Sequence, residues 1–507
     1  MTAGTALRWP LLCALAAALV YVRALGNGFV LDDVRLVEQN PAVASLAHLP
    51  GLFVEPYWNV LGEHYGLYRP LTVASFAVNR ALLGAGPFGF HLVDVVLHAS
   101  IAALAWLCLR RAGTHYGTAL LGGVAFAVLP VHTEAVANVA GRAELLAALF
   151  VLASWLAHGR ALEAEERGRR WGILAALLYL AAILSKESAV LAPALFVADD
   201  AMRRRGTTAR RAAHFAAYAT ALAVMLVLRV MALGVHQTAE ATIPLDNPAA
   251  AAGAWPRVAT ALWVQVKCAL LCVAPRHLVS DYSYDAIPIA RSVADPRVLA
   301  GLAFVAALAA AAAWGWKHCR PVALAAIVWV VFFLPSANLL FATGTLMAER
   351  LAYLPSLGVC LAIGHVGAAL AARPGAANAM RARRIAVVIV AVALVAGFAV
   401  RAIARIPDWK SNLTLALADV ATSPRSAKLQ AGAGMFLAQA GRVEEGEDHL
   451  QRALSIYPEY AQMHYNLAVL LARRGARDEA TAHLRRAIAL APGNPLPRRL
   501  LDELSRR

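Results

Sequence analysis

The sequence predicts an all-α fold: a polytopic membrane protein with about 11 transmembrane helices, followed by a C-terminal domain of helical repeats. Three observations support this. The 507 residues are 60% hydrophobic with a mean hydropathy of +0.59. Apolar runs of roughly 16–22 residues recur, close to the length that crosses a bilayer core of roughly 30 Å. Beyond residue 405 these runs stop, and prolines return at a regular interval.

The apolar runs are rich in Ala, Leu and Val without alternating polar positions, which indicates helices rather than strands. Lys and Arg cluster in the short connections between runs, and the positive-inside rule places these connections in the cytoplasm. The N-terminus is then inside and everything after Arg405 outside. The predicted spans are 9–25, 88–109, 116–131, 140–158, 171–185, 188–200, 212–233, 298–316, 322–341, 351–371 and 385–405.

Two further apolar segments are predicted to lie along the outer surface rather than to cross the membrane. Residues 257–275 carry Lys267 in mid-run, where charge is costly, and counting them as a span would invert every later loop. Residues 69–84 have a similar amphipathic pattern. The outer face therefore carries two large insertions, 26–87 and 234–297, which we expect to enclose a vestibule.

The chain divides into a membrane domain (1–407) and a C-terminal domain (408–507) with the 34-residue period of tetratricopeptide repeats. Pro424, Pro458 and Pro492 mark the period, and small residues recur where paired helices must pack closely. Such stacks often hold an extended peptide in a concave groove, and a docking or dimerising module is equally compatible with the pattern. The predicted units are repeats at about 425–458 and 459–492 and a capping helix at 495–507.

The net charge of +16 does not indicate nucleic-acid binding. The basic residues lie in the cytoplasmic loops, and the chain has neither an aromatic-and-basic platform nor a recognition helix. Heavy use of Ala and Arg with few Lys suggests a bacterium, so we expect the inner membrane with the outer face in the periplasm. A eukaryotic source would place that face in the endoplasmic reticulum. The cysteines show no zinc-ligand spacing, and no metal or cofactor is expected.

Two adjacent acids, Asp32 and Asp33, follow the first apolar segment in GNGFVLDDVRLVEQNP. They lie at the outer mouth of the predicted membrane body. A carboxylate positioned there can accept the proton of an attacking hydroxyl. Side chains of adjacent residues diverge, so one acid would face a substrate while the other orients it or the backbone. A helix cap or a solvated turn explains the pair as well from the residues alone.

Cations at the predicted outer ends of the spans are candidates for binding an anion, because charge near hydrocarbon is expensive and marks functional sites. Arg350 precedes an apolar helix, and a snorkelling side chain is its alternative. Arg69 precedes a proline, and a loop ion pair is its alternative. Lys186 and Glu187 lie between short apolar runs.

A tight outer turn contains His132 and Glu134, for which hydrogen bonding within the turn is the alternative. Arg142 and Glu144 follow and are predicted to pair with each other at the interface.

Two other motifs lie in the outer regions. Asp281 and Asp285 flank two tyrosines in the second insertion, where a structural role is favoured over contact with an acceptor. Asn412-Leu-Thr414 fits a glycosylation sequon, a pattern too common to decide anything.

Seven blocks, in one order along nearly the whole chain, resemble the transmembrane and tetratricopeptide-repeat O-mannosyltransferases, a branch of the C-fold glycosyltransferases that use polyprenyl-phosphate sugars. Family members often carry many repeats, whereas this chain has about two. The blocks are GNGFVLDDVRLVEQNPAV (26–43), LYRPLTVASFAVN (67–79), FHLVDVVLH (90–98), LPVHTEAVANVAGRAELLAALF (129–150), LSKESAVLAPALFVAD (184–199), LVSDYSYDAIP (278–288) and MAERLAYLPSLG (347–358).

The resemblance implies inverting, metal-independent transfer of a sugar, with mannose expected, from a polyprenyl-phosphate donor to Ser or Thr of exported proteins held by the repeats. The resemblance implies an acid of the first outer loop as the base. Together with the residue patterns above, we expect as catalytic acids Asp33 and Asp32, as ligands of the donor phosphate Arg350, Arg69, His132 and Lys186, and in support Glu134, Arg142 and Glu349. Alternatives are a non-enzymatic scaffold for envelope assembly or export, and transfer to a lipid or glycan. A transporter is less favoured, because the spans show no internal repeat.

Overall fold

A computed structural model describes residues 3–58, 66–164, 167–203, 207–234 and 244–506, and within these ranges the regular structure is helical. Short 3-10 turns connect many of the helices. The α-helices up to residue 405 are α1 (Ala3–Tyr21), α2 (Pro70–Leu83), α3 (Pro87–Arg111), α4 (Tyr116–Val128), α5 (Thr133–Ala137), α6 (Arg142–Glu163), α7 (Gly168–Ser185), α8 (Ala192–Arg203), α9 (Thr208–Leu233), α10 (Pro248–Ala251), α11 (Ala254–Val273), α12 (Pro296–His318), α13 (Arg320–Phe333), α14 (Ser356–Ala371) and α15 (Ala377–Arg405). The later helices are α16 (Asn412–Thr422), α17 (Ala427–Gln439), α18 (Val443–Ile456), α19 (Ala461–Arg474), α20 (Arg477–Leu490) and α21 (Pro495–Arg506).

The chain is a multi-pass membrane protein, and each predicted span overlaps one helix. Within the described ranges, 8 helices are long and apolar enough to cross a bilayer, or 9 if α4 and α5, bent by 45°, form one broken span. Helices α8, α13 and α14 are shorter than a full span. The predicted bounds 322–341 and 351–371 were therefore too wide, because α13 gives way to a 3-10 turn at Leu334 and α14 begins only at Ser356.

The helical bundle has two chemically distinct ends. We call the end where residues 27–58 and 274–295 lie the loop end, and the opposite end the basic end. At the basic end the buried carboxylate of Asp199 pairs with Arg111 at 2.9 Å and Arg320 at 2.5 Å. These ion pairs join α3, α8 and α13 at the basic end.

Helix α11 is long enough to span, yet both of its ends contact the loop end. Near its start, Arg257 donates to the carbonyl of Leu339 (3.1 Å), which follows α13. Just after its last turn, the carbonyl of Pro275 accepts from Arg401 (3.2 Å) near the end of α15. These contacts are those of a helix that lies across the bundle rather than through it.

The C-terminal helices form two antiparallel pairs, α17–α18 and α19–α20, and α21 covers the second pair. Equivalent helices begin 34 residues apart, at Ala427 and Ala461. Two glycines allow α17 and α18 to approach closely, since a Cβ on Gly434 would lie 2.8 Å from the carbonyl oxygen of Gly446, and the converse distance is also 2.8 Å. The small residues seen in the sequence therefore lie at a backbone crossing.

The second loop, 244–297, joins the repeats to the bundle. Lys428 on α17 binds Asp246 at 2.7 Å and Asp281 at 3.3 Å. The ring of Tyr284 packs on Tyr457 with centroids 4.8 Å apart. Asp246, Asp281 and Tyr284 thus attach the repeat domain, and for Asp281 this is the structural role that the sequence favoured.

Candidate active site

The loop after α1 holds Asp32 and Asp33 in different environments. Asp33 is fully buried, and its two carboxylate oxygens accept the backbone N–H groups of Ala140 (2.6 Å) and Val30 (3.2 Å). Burial raises the pKa of Asp33 to about 8, although both backbone donors favour the charged form. Asp32 is exposed. Asp33 therefore fastens the loop to the turn before α6, and Asp32 is the acid that a substrate can reach.

Asp32 lies within electrostatic range of two groups across the loop end. Its charge adds to the pKa rise that Glu134 causes at Arg350. It also adds to the effect of burial, which raises the pKa of Tyr57 to about 12. The charge of Asp32 thus acts on both Arg350 and Tyr57, although the three residues come from separate parts of the chain.

Arg350 lies in a 3-10 turn before α14 and is fixed from behind by Glu134. One oxygen of the Glu134 carboxylate accepts the backbone N–H of Arg350 at 2.8 Å, and the other pairs with its guanidinium. Glu134 is 1% exposed, whereas the side chain of Arg350 is 33% exposed. The buried acid therefore anchors a cation that stays open to the loop end.

Two further cations lie near Arg350, each with its own acid. Arg69 donates through Nε to Glu187 at 2.9 Å, and its guanidinium lies 5.1 Å from the centre of the Tyr57 ring. Lys186 pairs with Glu144. Burial, and then the positive charges of Arg69 and Arg350, hold the pKa of Lys186 well below its usual range. The three basic groups thus lie close enough for their charges to interact, and each is paired with its own carboxylate.

Two small clefts lie beside Arg69 and Lys186. One is lined by Tyr57 and Arg69 together with residues of the first loop and α2. The other is lined by Lys186, Glu144 and Leu351, between α7, α13 and the turn before α14. Arg69 and Lys186 therefore each line a cleft at the loop end.

His132 does not line either cleft. It is fully buried, with Nε2 2.8 Å from the Ser356 hydroxyl. Its ring packs against Tyr353 and His98 at centroid distances of 4.4 Å and 5.5 Å. In this arrangement His132 supports the start of α14, and a phosphate would have no direct contact with it.

The predicted pairing of Arg142 with Glu144 is wrong. Arg142 is fully buried and donates to Asp94 at 2.6 Å and to the carbonyl of Phe90 at 2.9 Å, whereas Glu144 pairs with Lys186. Residues two apart on a helix do not face each other, so the two side chains find partners on different elements. A lone acid in the apolar block FHLVDVVLH was the sequence signal for the partner of Arg142.

Glu349 is buried beside Arg350 and faces the second loop. Its carboxylate accepts the backbone N–H of Val279 (2.6 Å) and the hydroxyl of Tyr282 (2.8 Å). Burial raises its pKa to about 8. Glu349 therefore connects the turn that carries Arg350 to the loop that holds the repeats. No sequence pattern indicates this link or the contact of Tyr57 with Arg69.

The chain matches two family models. Residues 239–309 match the model described as "Protein O-mannosyl-transferase TMTC, DUF1736", and residues 417–504 match a tetratricopeptide-repeat model. The protein O-mannosyl-transferase F38B6.6 of Caenorhabditis elegans is 28% identical over 450 residues, which is 87% of this chain and 62% of the relative. TMTC3 of Mus musculus is 26% identical over 471 residues, 87% of this chain and 50% of the relative. The chain is similar to the TMTC proteins over 87% of its length.

The relation to the TMTC proteins covers only part of their length. The chain spans about half to three fifths of the first curated relatives it matches. These relatives are animal proteins and so do not support the bacterial location expected from composition. The TMTC match at 239–309 covers the second loop, which includes Tyr282, the partner of Glu349.

Two solved structures are similar in shape at low identity. The archaeal oligosaccharyltransferase AglB from Archaeoglobus fulgidus, in complex with an inhibitory peptide and a dolichol-phosphate, has a TM-score of 0.45 and 12% identity over 78% of this chain and 56% of that chain. ArnT from Cupriavidus metallidurans, bound to undecaprenyl phosphate, has a TM-score of 0.42 and 16% identity over 85% and 80%.

Proposed function

We propose that the chain is a membrane glycosyltransferase that moves mannose from a polyprenyl-phosphate donor to Ser or Thr hydroxyls of polypeptides. The names of the TMTC relatives support the sugar and the protein acceptor. The observation that carries the proposal is the exposed Asp32 within electrostatic range of the anchored Arg350. Transfer from a phosphate to a hydroxyl requires an acid and a cation near each other.

Asp32 is the proposed base, and Asp33 the residue that holds its loop. The Asp32 carboxylate accepts the proton of the Ser or Thr hydroxyl, whose oxygen bonds to the anomeric carbon of the sugar. The bond from that carbon to the phosphate oxygen breaks, and the electron pair leaves with the phosphate. A single displacement of this kind inverts the anomeric configuration. Burial and two backbone bonds disfavour Asp33 as the group that meets the hydroxyl.

Arg350 is the proposed contact of the departing phosphate, with Arg69 and Lys186 behind it. Negative charge grows on the phosphate as the bond breaks, and a cation that is already fixed stabilises it without reorganising. Arg350 is the most exposed of the three and is held by Glu134 through both backbone and side chain. Fixed cations can serve in place of a metal ion in this step.

The loop end is proposed to face the compartment into which proteins are exported, with the acceptor held by the repeats. Support comes from the basic connections at the opposite end of the bundle and from the attachment of α17 to the second loop. In a bacterial host this compartment is the periplasm, and in a eukaryotic host the endoplasmic reticulum. A reporter fused after residue 507 that is active only in the cytoplasm would contradict the orientation.

The test uses the purified full chain with labelled polyprenyl-phosphate mannose and an extract of exported proteins. Asp32→Asn should reduce transfer by roughly 10²–10⁴-fold, the usual contribution of a general base. The exposed Asp448→Asn on α18 is the matched control and should retain full activity. Full activity of Asp32→Asn would overturn the proposed mechanism, and absence of label on protein with the wild-type chain would overturn the proposed acceptor.

A further inference from the structure

The residue before the acid pair has an unusual backbone conformation. Leu31 has φ +48°, a left-handed value that non-glycine residues rarely adopt. Its side chain is 40% exposed, so packing does not hold it there. Its backbone N–H donates to the side-chain oxygen of Asn412 at 2.8 Å. The conformation is therefore held by a residue at the start of the C-terminal domain.

Asn412 begins α16, and the segment before it also holds the acid loop. The backbone N–H of Gly28 donates to the carbonyl of Lys410 at 3.0 Å, and the side-chain amide of Asn27 donates to Ile406 at 3.3 Å. A Cβ at residue 28 would lie 3.1 Å from the Lys410 oxygen, so the backbones at residues 28 and 410 approach as closely as a glycine permits. Residues 27–31, just before the acid pair, are thus attached to residues 406–412.

The position of Asn412 is fixed independently of the acid loop. Ser411 and Thr414 form a reciprocal capping box, in which the Thr414 N–H donates to Ser411 Oγ (3.2 Å) and the Ser411 N–H donates to Thr414 Oγ1 (3.0 Å). Further along α16, Asp419 binds Arg405 at 2.6 Å. The helix start is rigid, so its Asn side chain can impose a conformation on the loop rather than follow it.

We propose that Asn412 is a positioning residue that holds Leu31 in the left-handed conformation and thereby directs Asp32 toward the substrate; the proposal rests on the proposed function of Asp32. Return of Leu31 to negative φ would rotate the following peptide and turn the acid pair together. Asp33 would then lose Ala140, or Asp32 would leave its place near Arg350. The Asn412-Leu-Thr414 sequence, which resembles a sequon, here has its Asn and Thr side chains engaged in structure.

Kinetics of purified variants test the positioning role. Asn412→Ala should lower kcat by roughly three- to tenfold, the equivalent of one hydrogen bond, with the KM for the donor unchanged. Asn412→Asp keeps the accepting oxygen and should restore most of kcat. In a Leu31→Gly background the loss on removing Asn412 should shrink, because glycine adopts positive φ without strain. Asn378→Ala, which removes an exposed Asn side chain at the start of α15, is the matched control and should be unchanged.

Hydrogen–deuterium exchange of peptides covering residues 28–33 supplies a readout that does not depend on activity. Exchange at the Leu31 amide should accelerate in Asn412→Ala but not in Asn412→Asp. Unchanged exchange in Asn412→Ala would overturn the proposal whatever the activity. Accelerated exchange with unchanged kcat, while Asp32→Asn is inactive, would overturn the positioning role and leave the proposed function intact. An active Asp32→Asn would contradict the proposed function of Asp32, whatever the exchange at the Leu31 amide.

Discussion

The carboxylates of Asp32 and Asp33 lie in opposite environments although the residues adjoin in the chain. Asp33 is buried and accepts backbone N–H groups from Ala140 and Val30, whereas Asp32 is exposed near Arg350. The left-handed Leu31 just before them starts this divergence. One acid therefore builds the loop, and the other is available for chemistry.

Replacement of Asp33 should affect stability more than chemistry. Asp33→Ala leaves the buried N–H of Val30 without an acceptor and the N–H of Ala140 with only the side-chain oxygen of Asn138 (3.1 Å), which should lower the free energy of unfolding by roughly 1–3 kcal/mol. Asp33→Asn keeps one accepting oxygen and should be milder. Thermal unfolding in detergent measures both, with the exposed Asp502→Ala as control. A stable but inactive Asp33→Ala would assign the chemistry to Asp33 instead.

Arg350 should raise kcat/KM for the donor through its contact with the donor phosphate. Arg350→Ala is expected to reduce kcat/KM for the donor by roughly 10²–10³-fold, as for other charge-stabilising groups, and Arg350→Lys should recover part of this. Because the backbone N–H of Arg350 remains bound to Glu134, both variants should fold. Steady-state kinetics with the exposed Arg452→Ala as control provides the measurement. A donor dependence unchanged in Arg350→Ala would exclude contact with the phosphate.

Glu349 should make stability depend on pH. Its folded pKa is about 8, raised by burial from the usual 4.5, so its contribution is fully present below about pH 4.5 and is lost as the pH rises through 8. The Gln side chain of Glu349→Gln does not titrate, so the Tm of the variant should rise relative to that of the wild type as the pH increases. The corresponding loss in the free energy of unfolding of the wild type should be roughly 1–3 kcal/mol, given about 1.4 kcal/mol per pKa unit and partial relaxation.

The experiment is thermal unfolding at several values between about pH 5 and 9. Arg405 is the charged group that most favours ionised Glu349, and a difference in Tm that stays constant over this range would mean that Arg405 keeps the carboxylate ionised throughout.

The close crossing of α17 and α18 should not tolerate a side chain at Gly446. A Cβ there would lie 2.8 Å from the carbonyl oxygen of Gly434, so Gly446→Ala should destabilise the pair by roughly 1–3 kcal/mol. Gly432→Ala meets only the Phe436 ring at 3.8 Å and should be neutral or stabilising by up to roughly 1 kcal/mol. Hydrogen–deuterium exchange of peptides from α17 and α18 compares the two. Equal protection in both variants would contradict the packing described.

Much of the fold was predictable because it is encoded locally. Apolar runs specify helices in a membrane, and the proline period specifies the repeats. Helix ends were less predictable: α14 begins at Ser356 rather than at 351 because residues 349–352 form a 3-10 turn around the Arg350–Glu134 contact. That turn depends on a partner 216 residues away in the chain, which no local pattern records.

The residue types at the site could be inferred from the sequence, whereas their partners could not. The acid pair, the three cations and Glu134 stand out because they are charges at the ends of apolar runs. The folded structure shows that Asp33 is buried and Asp32 exposed, that Arg142 pairs with Asp94, and that the Asn412 side chain accepts from Leu31. Burial and hydrogen bonding depend on segments brought together from distant parts of the chain, so no local pattern records them.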